Sequence, residues 1–179
     1  MLERWHCSSC DLEHDGIFHL GWPAPWHWDG PIAPEPNEAL RVDGDFLSDD
    51  LCVIGGTDFF VRGVLEIPVH GSEQSFGFGS WSTLSRANFE LYVASMDGAR
   101  LDEDAIWTGW FATWPKPFAS PVNQPCWVEP QAGRLRPLIW LEDETHPLAR
   151  AQRDGITIER LLEIYAANGH EFARRRKPH

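Results

Sequence analysis

Thr57-Asp58-Phe59-Phe60-Val61-Arg62-Gly63-Val64-Leu65-Glu66-Ile67-Pro68-Val69 decides how this chain is read. Phe59, Val61, Leu65, Ile67 and Val69 fall on one side of an extended backbone, and Arg62 and Glu66 fall on the other. That period of two is what a half-buried strand requires, because successive side chains point to opposite faces. Residues 70–74 then read as a hairpin loop, and Phe76-Gly77-Phe78-Gly79-Ser80-Trp81-Ser82-Thr83 reads as the return strand. Glycines alternating with aromatics there predict a bulge or a close backbone approach.

Working outward, Ser85 is a helix N-cap for residues 86–96, with Phe89, Tyr92, Val93 and Met96 at helical spacing and Gly98 as the stop. Residues 106–114 form a further strand ended by Pro115 and Pro117. Cys126-Trp127-Val128-Glu129 and residues 135–142 form another strand pair, with Pro137 marking an edge or a bulge. Thr145 precedes a short helix over 146–153 closed by Gly155. Thr157 caps a second helix carrying Ile158, Leu161, Leu162 and Tyr165 as its apolar stripe, and Gly169 ends it. Loop, strands, helix, strands, helices is the order of an α+β domain. We expect a single domain over 1–170, built on a mainly antiparallel sheet with helices on one face. Residues 1–20 are its possible metal-knuckle segment, 21–45 a Pro/Trp-rich loop, and 171–179 a basic, flexible tail.

The 179 residues suffice for one hydrophobic core and are too few for two comfortable ones. No run of about 18 apolar residues occurs, which excludes a membrane-spanning helix. The opening residues carry no apolar stretch ending in small residues, so we expect a soluble cytoplasmic chain with reduced thiols. Net charge is −12, and four of the 15 basic residues sit in Arg174-Arg175-Arg176-Lys177. The body therefore carries 11 basic against 27 acidic residues, about −16. Such a surface repels phosphate backbones, so nucleic acid is not an expected partner. A basic protein steered by long-range attraction is, alongside the simpler role of keeping the chain soluble.

Cys7-x-x-Cys10 has metal-knuckle spacing, because two intervening residues let both sulfurs face one cation from a tight turn. A structural zinc takes four ligands. His14 is the candidate third, and Cys52, His6 or His19 the candidate fourth. Buried inert thiols and redox chemistry are the alternatives, and Cys52 within Leu51-Cys52-Val53-Ile54 also suits a core strand. The loop Gly21-Trp22-Pro23-Ala24-Pro25-Trp26-His27-Trp28 is too rich in proline for helix or central strand. Trp22, Trp26 and Trp28, with Trp81, could floor a ligand groove or pack over the core. Serine-hydrolase elbows, zinc-protease helices, phosphate loops and dinucleotide fingerprints are absent.

Three runs resemble the bacterial family called domain of unknown function 2199. They are residues 46–54, Phe59-Phe60-Val61-Arg62-Gly63-Val64-Leu65-Glu66-Ile67-Pro68-Val69, and Gly79-Ser80-Trp81-Ser82-Thr83-Leu84-Ser85. Arg136-Pro137-Leu138-Ile139, His146-Pro147-Leu148-Ala149, Gln152-Arg153-Asp154-Gly155-Ile156-Thr157 and the opening Cys7-x-x-Cys10 with His14 are similar to it as well. The resemblance implies a bacterial cytoplasmic protein of this fold and no particular activity. The family tends to carry glycine after the second cysteine, where this chain has Asp11, and a histidine-bearing segment where it has Val122-Asn123-Gln124-Pro125-Cys126. Two functions are therefore expected in competition. One is a small binding or regulatory protein, in the manner of a toxin-neutralising immunity protein, with a structural zinc. The other is a metal-dependent enzyme using Cys7, Cys10 and His14 with further histidines such as His27 or His70.

Overall fold

A computed structural model describes residues 5–7, 9, 11–102, 104–132 and 135–171 of the chain. The strands are β1 (Trp5–His6), β2 (Glu13–His14), β3 (Leu20–Gly21), β4 (Phe46–Leu47), β5 (Leu51–Ile54), β6 (Asp58–Pro68), β7 (Ser75–Leu84), β8 (Trp107–Trp110), β9 (Pro125–Glu129) and β10 (Leu138–Leu141). The helices are α1 (Arg86–Met96), α2 (Pro147–Asp154) and α3 (Ile158–Ala167).

The β6–β7 hairpin is the spine, with ten antiparallel pairs from Phe59↔Leu84 to Pro68↔Ser75. Antiparallel pairing also joins β4–β5, β5–β6, β9–β10 and β8–β9. Two contacts run the other way: β10 lies parallel to β6, and β3 parallel to β7. The sheet is therefore mixed: most of its strand pairs are antiparallel, as expected, and the two parallel ones are what the expectation lacked. Alternation of side chains fixes which face is buried and carries no information on strand direction.

The sheet also curls back on itself. Its strands run β3-β7-β6-β10-β9-β8, and the chain just past β8 returns to β7 through an antiparallel Phe111–Ser82 bridge and an Ala112 N–H to Trp81 carbonyl bond of 2.8 Å. Two glycines permit this. A Cβ on Gly63 would lie 2.6 Å from the Pro137 carbonyl oxygen and 2.7 Å from Ile139 Cγ1. One on Gly109 would overlap the Thr83 carbonyl oxygen and Ser82 Oγ. Gly79 likewise lets β3 approach, its Cβ position falling 3.3 Å from Gly21 Cα.

Phe59, Val61, Leu65, Ile67 and Val69 join one buried cluster with residues of all three helices, among them Phe89, Leu148, Leu161 and Tyr165. The opposite face of β6 is not left to water along its first half. Phe60, Leu47, Cys52, Trp81 and Ala112 form a second buried cluster there, roofed by Trp22, Ala24 and Trp28 of the Pro/Trp-rich loop.

Ser85 caps α1 by accepting from the Asn88 N–H, and Thr157 caps α3 by accepting from the Arg160 N–H. His146 caps α2, its Nδ1 accepting from the Leu148 N–H at 3.1 Å ahead of Pro147 at the first helical position. Gln152 of α2 fastens that helix to β10, its amide accepting from Leu141 N–H and donating to the Ile139 carbonyl. Among the described residues no helix is long and apolar enough to cross a membrane.

Candidate metal centre

Cys7 follows β1 and is fully buried. The turn it opens returns the chain to β2, which pairs with β1 in the register Trp5↔His14 and His6↔Glu13. Within the turn the Asp11 N–H donates to the Cys7 carbonyl at 3.1 Å, and the Cys7 N–H to the Leu12 carbonyl at 2.9 Å. Closing it requires a left-handed residue, and Asp11 adopts φ of 58°. Aspartate tolerates that region better than most non-glycine residues, because its short polar side chain bonds locally. Here Asp11 Oδ1 lies 3.0 Å from His6 Nε2. Asp11 thus supplies the left-handed residue of this turn.

His14 is held by stacking. Its ring lies on Phe18 with centroids 4.1 Å apart, and Phe18 lies on Tyr165 of α3 at 4.2 Å and 7°. Tyr165 also binds the Phe18 backbone at both ends: the Phe18 N–H donates to the phenol oxygen at 3.0 Å, and the phenol donates to the Phe18 carbonyl at 2.8 Å. This clamp brings the N-terminal hairpin against the end of α3.

The third group comes from that end. Gly169, at φ 83°, terminates α3, with its N–H on the Ala166 carbonyl and the His170 N–H on the Tyr165 carbonyl. Paired bonds of this kind, closed by a left-handed glycine, reverse the chain past a helix end. The reversal aims His170 back at the hairpin, with Nδ1 3.9 Å from Cys7 Sγ and the ring edge-on to His14 at 5.6 Å. One ligand atom each from Cys7, His14 and His170 lie within 4.8 Å of one another. Sulfur and nitrogen ligands about 2.3 and 2.0 Å from a tetrahedral zinc stand roughly 3.5 Å apart, so the three donors need only a small contraction to share one ion. Burial, and then the neighbouring His170, hold the His14 imidazole below its ordinary pKa. The neutral ring is the form that coordinates.

His170 is the member that sequence reasoning missed. Its only signal was its place directly after the Gly169 helix stop, at the last position of the expected domain. Cys10 lies outside the described residues, as do 172–179 with the basic run. Cys52 does not join the cluster, which corrects its assignment as a ligand. It sits in the second apolar cluster beside Phe60 and Trp81, and burial pushes its thiol up to about 12. Cys126 is likewise buried, 3.1 Å from Ser82 Oγ, with its thiol pushed up to about 12.

His70 and His27, named as further ligands, make structural contacts outside the cluster. His70 Nε2 donates to the Asp154 carbonyl at 2.8 Å, and His27 stacks on Phe60 with Nε2 3.0 Å from Asn123 Oδ1. Three of the four tryptophans proposed as a groove floor pack into the apolar clusters. Trp81 is fully buried with its indole donating to the Trp22 carbonyl, Trp28 donates to the Pro31 carbonyl, and Trp22 lies against Phe78. Only Trp26 of the four is exposed, its ring edge on Trp114 at 5.4 Å.

The family model described as an uncharacterised protein conserved in bacteria, DUF2199, matches residues 6–156. The chain belongs to DUF2199. The matched span includes Cys7, Cys10 and His14, and ends before α3 and His170. No curated protein and no solved structure matches the chain.

Proposed function

We propose that this DUF2199 chain is a small, non-catalytic binding domain stapled by one structural zinc ion. Cys7, His14 and His170 hold the ion, and Cys10 is the fourth ligand by its C-x-x-C spacing. The observation that carries this reading is the convergence of three donors from positions 7, 14 and 170, where the first hairpin meets the residue that follows the α3 stop. Thiolate and imidazole donors suit zinc better than calcium or magnesium, which take oxygen ligands. When bound, zinc would supply a cross-link between the first hairpin and the end of α3. The Tyr165–Phe18 clamp pre-positions His14 for it. We further propose that the net charge of −12 serves association with a basic protein, and that the chain acts in the reducing cytoplasm, where its thiols stay available to metal.

A second reading has one observation in its favour. Among the described residues three donors converge, and three protein ligands with an open fourth position is the arrangement of catalytic zinc. Elemental analysis of protein purified without a histidine tag separates the two. The structural reading expects one zinc per chain, lost in Cys7→Ser and His170→Ala, and lost or weakened at least tenfold in Cys10→Ser. Full zinc occupancy and unchanged affinity in Cys10→Ser would favour the open site instead. Protein that takes up no zinc, with its thiols reduced, would end both.

A further inference from the structure

β8, β9 and β10 bury Cys126, Val128, Ile139 and Leu141 inward. Their outer face carries what a solvated sheet ordinarily lacks. Trp127 and Trp140 are direct cross-strand partners, each 38% exposed, and Trp110, two residues along β8 from Trp127's partner Thr108, is 56% exposed. At about 250 Å² for a whole tryptophan these exposures leave roughly 300 Å² of indole in water, the size at which an apolar patch is often functional. Carboxylates share this face. Glu129 accepts from the Trp140 indole N–H at 3.2 Å, and Glu142, exposed and two residues past Trp140, continues the same alternation beyond β10. None of the residues of these strands that share this face is lysine or arginine. Trp110 also walls a cavity of about 390 Å³ whose lining includes Asp58.

We propose that this face is the docking surface for a lysine- or arginine-bearing segment of a protein partner, with the cationic side chains lying over the tryptophans and their charge directed at Glu129 and Glu142. An indole face attracts a cation through its quadrupole, and a carboxylate held at the ring edge adds to that attraction without competing for the same space. The charge balance selects the occupant. Phosphate-bearing chains are repelled by a −12 protein, and a second copy would bring two acidic faces together. The curled sheet leaves the end of β8 bonded to β7, so side chains on the face do the recognising. The proposal rests on the binding reading above and names its surface and partner chemistry.

The probe is a fluorescein-labelled peptide of alternating lysine and alanine, read by anisotropy, with an alternating glutamate–alanine peptide, maltohexaose and sedimentation of the protein alone as comparisons. The zinc content of every sample is measured separately. The lysine peptide binds, the glutamate peptide does not, and raising salt weakens the complex. Trp127→Thr with Trp140→Thr weakens it at least tenfold while unfolding midpoint and zinc content stay unchanged, and Glu129→Gln with Glu142→Gln does the same. Lysine-peptide binding that survives the tryptophan substitutions overturns the surface and leaves the binding reading standing. No lysine-peptide binding at all, or maltohexaose binding in its place, overturns both without touching the zinc claim. Self-association lost on Trp127→Thr assigns the face to a second copy and refutes the proposal.

Discussion

Replacing Tyr165 by phenylalanine removes one oxygen atom and tests whether the hairpin is clamped to α3. The ring stack on Phe18 at 4.2 Å is kept, and so is the volume. What is lost are two bonds, one received from the Phe18 N–H at 3.0 Å and one given to the Phe18 carbonyl at 2.8 Å. Both partners are backbone groups in a part-buried setting, and losing each hydrogen bond costs on the order of 1 kcal/mol, so the expected loss is about 2 kcal/mol. For a chain of this size that lowers the thermal midpoint by roughly 4–8 °C. Phe18 also carries the His14 ring at 4.1 Å, so zinc affinity measured by chelator competition falls as well. Urea unfolding of apo and zinc-loaded protein reads the first effect and the competition reads the second. A stability change under 0.5 kcal/mol in the apo protein would mean that Tyr165 does not hold the hairpin, and the argument for a pre-positioned site would fail with it.

His146 is held below its ordinary pKa of 6.5 chiefly by burial, and its cap on α2 needs an unprotonated Nδ1. As pH falls below 6.5 the unfolded chain takes the proton first, so stability drops until the lower folded-state value is reached and then levels off. His146→Asn keeps a capping side chain without that titration, and an unaltered pH dependence in this variant would refute the assignment. Gly63→Ala puts a methyl group 2.6 Å from the Pro137 carbonyl oxygen and should cost at least about 2 kcal/mol, since backbone on both sides must move. A urea midpoint equal to the wild type would refute the close β6–β10 approach. Cys52 and Cys126, with thiols pushed up to about 12, should resist alkylation at pH 8 until the protein unfolds. Mass-mapped labelling of either within minutes in the folded state would contradict their burial.

The local signals in the sequence located most of the frame. Ser85 and Thr157 cap the helices at the positions their chemistry indicates, and alternation from Phe59 to Val69 picked out the face that the helices cover. Long-range pairing was not legible. The parallel alignment of β10 with β6 arises from how the chain crosses between Leu84 and Leu138, which no side-chain period records. The burial of Phe60 and Trp81 depends on the Trp22–Trp28 segment folding over them, a tertiary event. In the metal site Cys7 and His14 were visible because one short turn holds both. His170 was invisible because the turn after Gly169 delivers it across 163 residues to Cys7. Cys52 misled through residue type alone, although its apolar neighbours Leu51, Val53 and Ile54 already described a core strand.

X-ray absorption at the zinc edge, on tag-free protein loaded with one equivalent, meets the central claim most directly. The account predicts two sulfur and two nitrogen neighbours at about 2.3 and 2.0 Å, with one nitrogen lost in His170→Ala. A shell of oxygen and nitrogen alone, or four sulfurs drawing in Cys52 and Cys126, would contradict it.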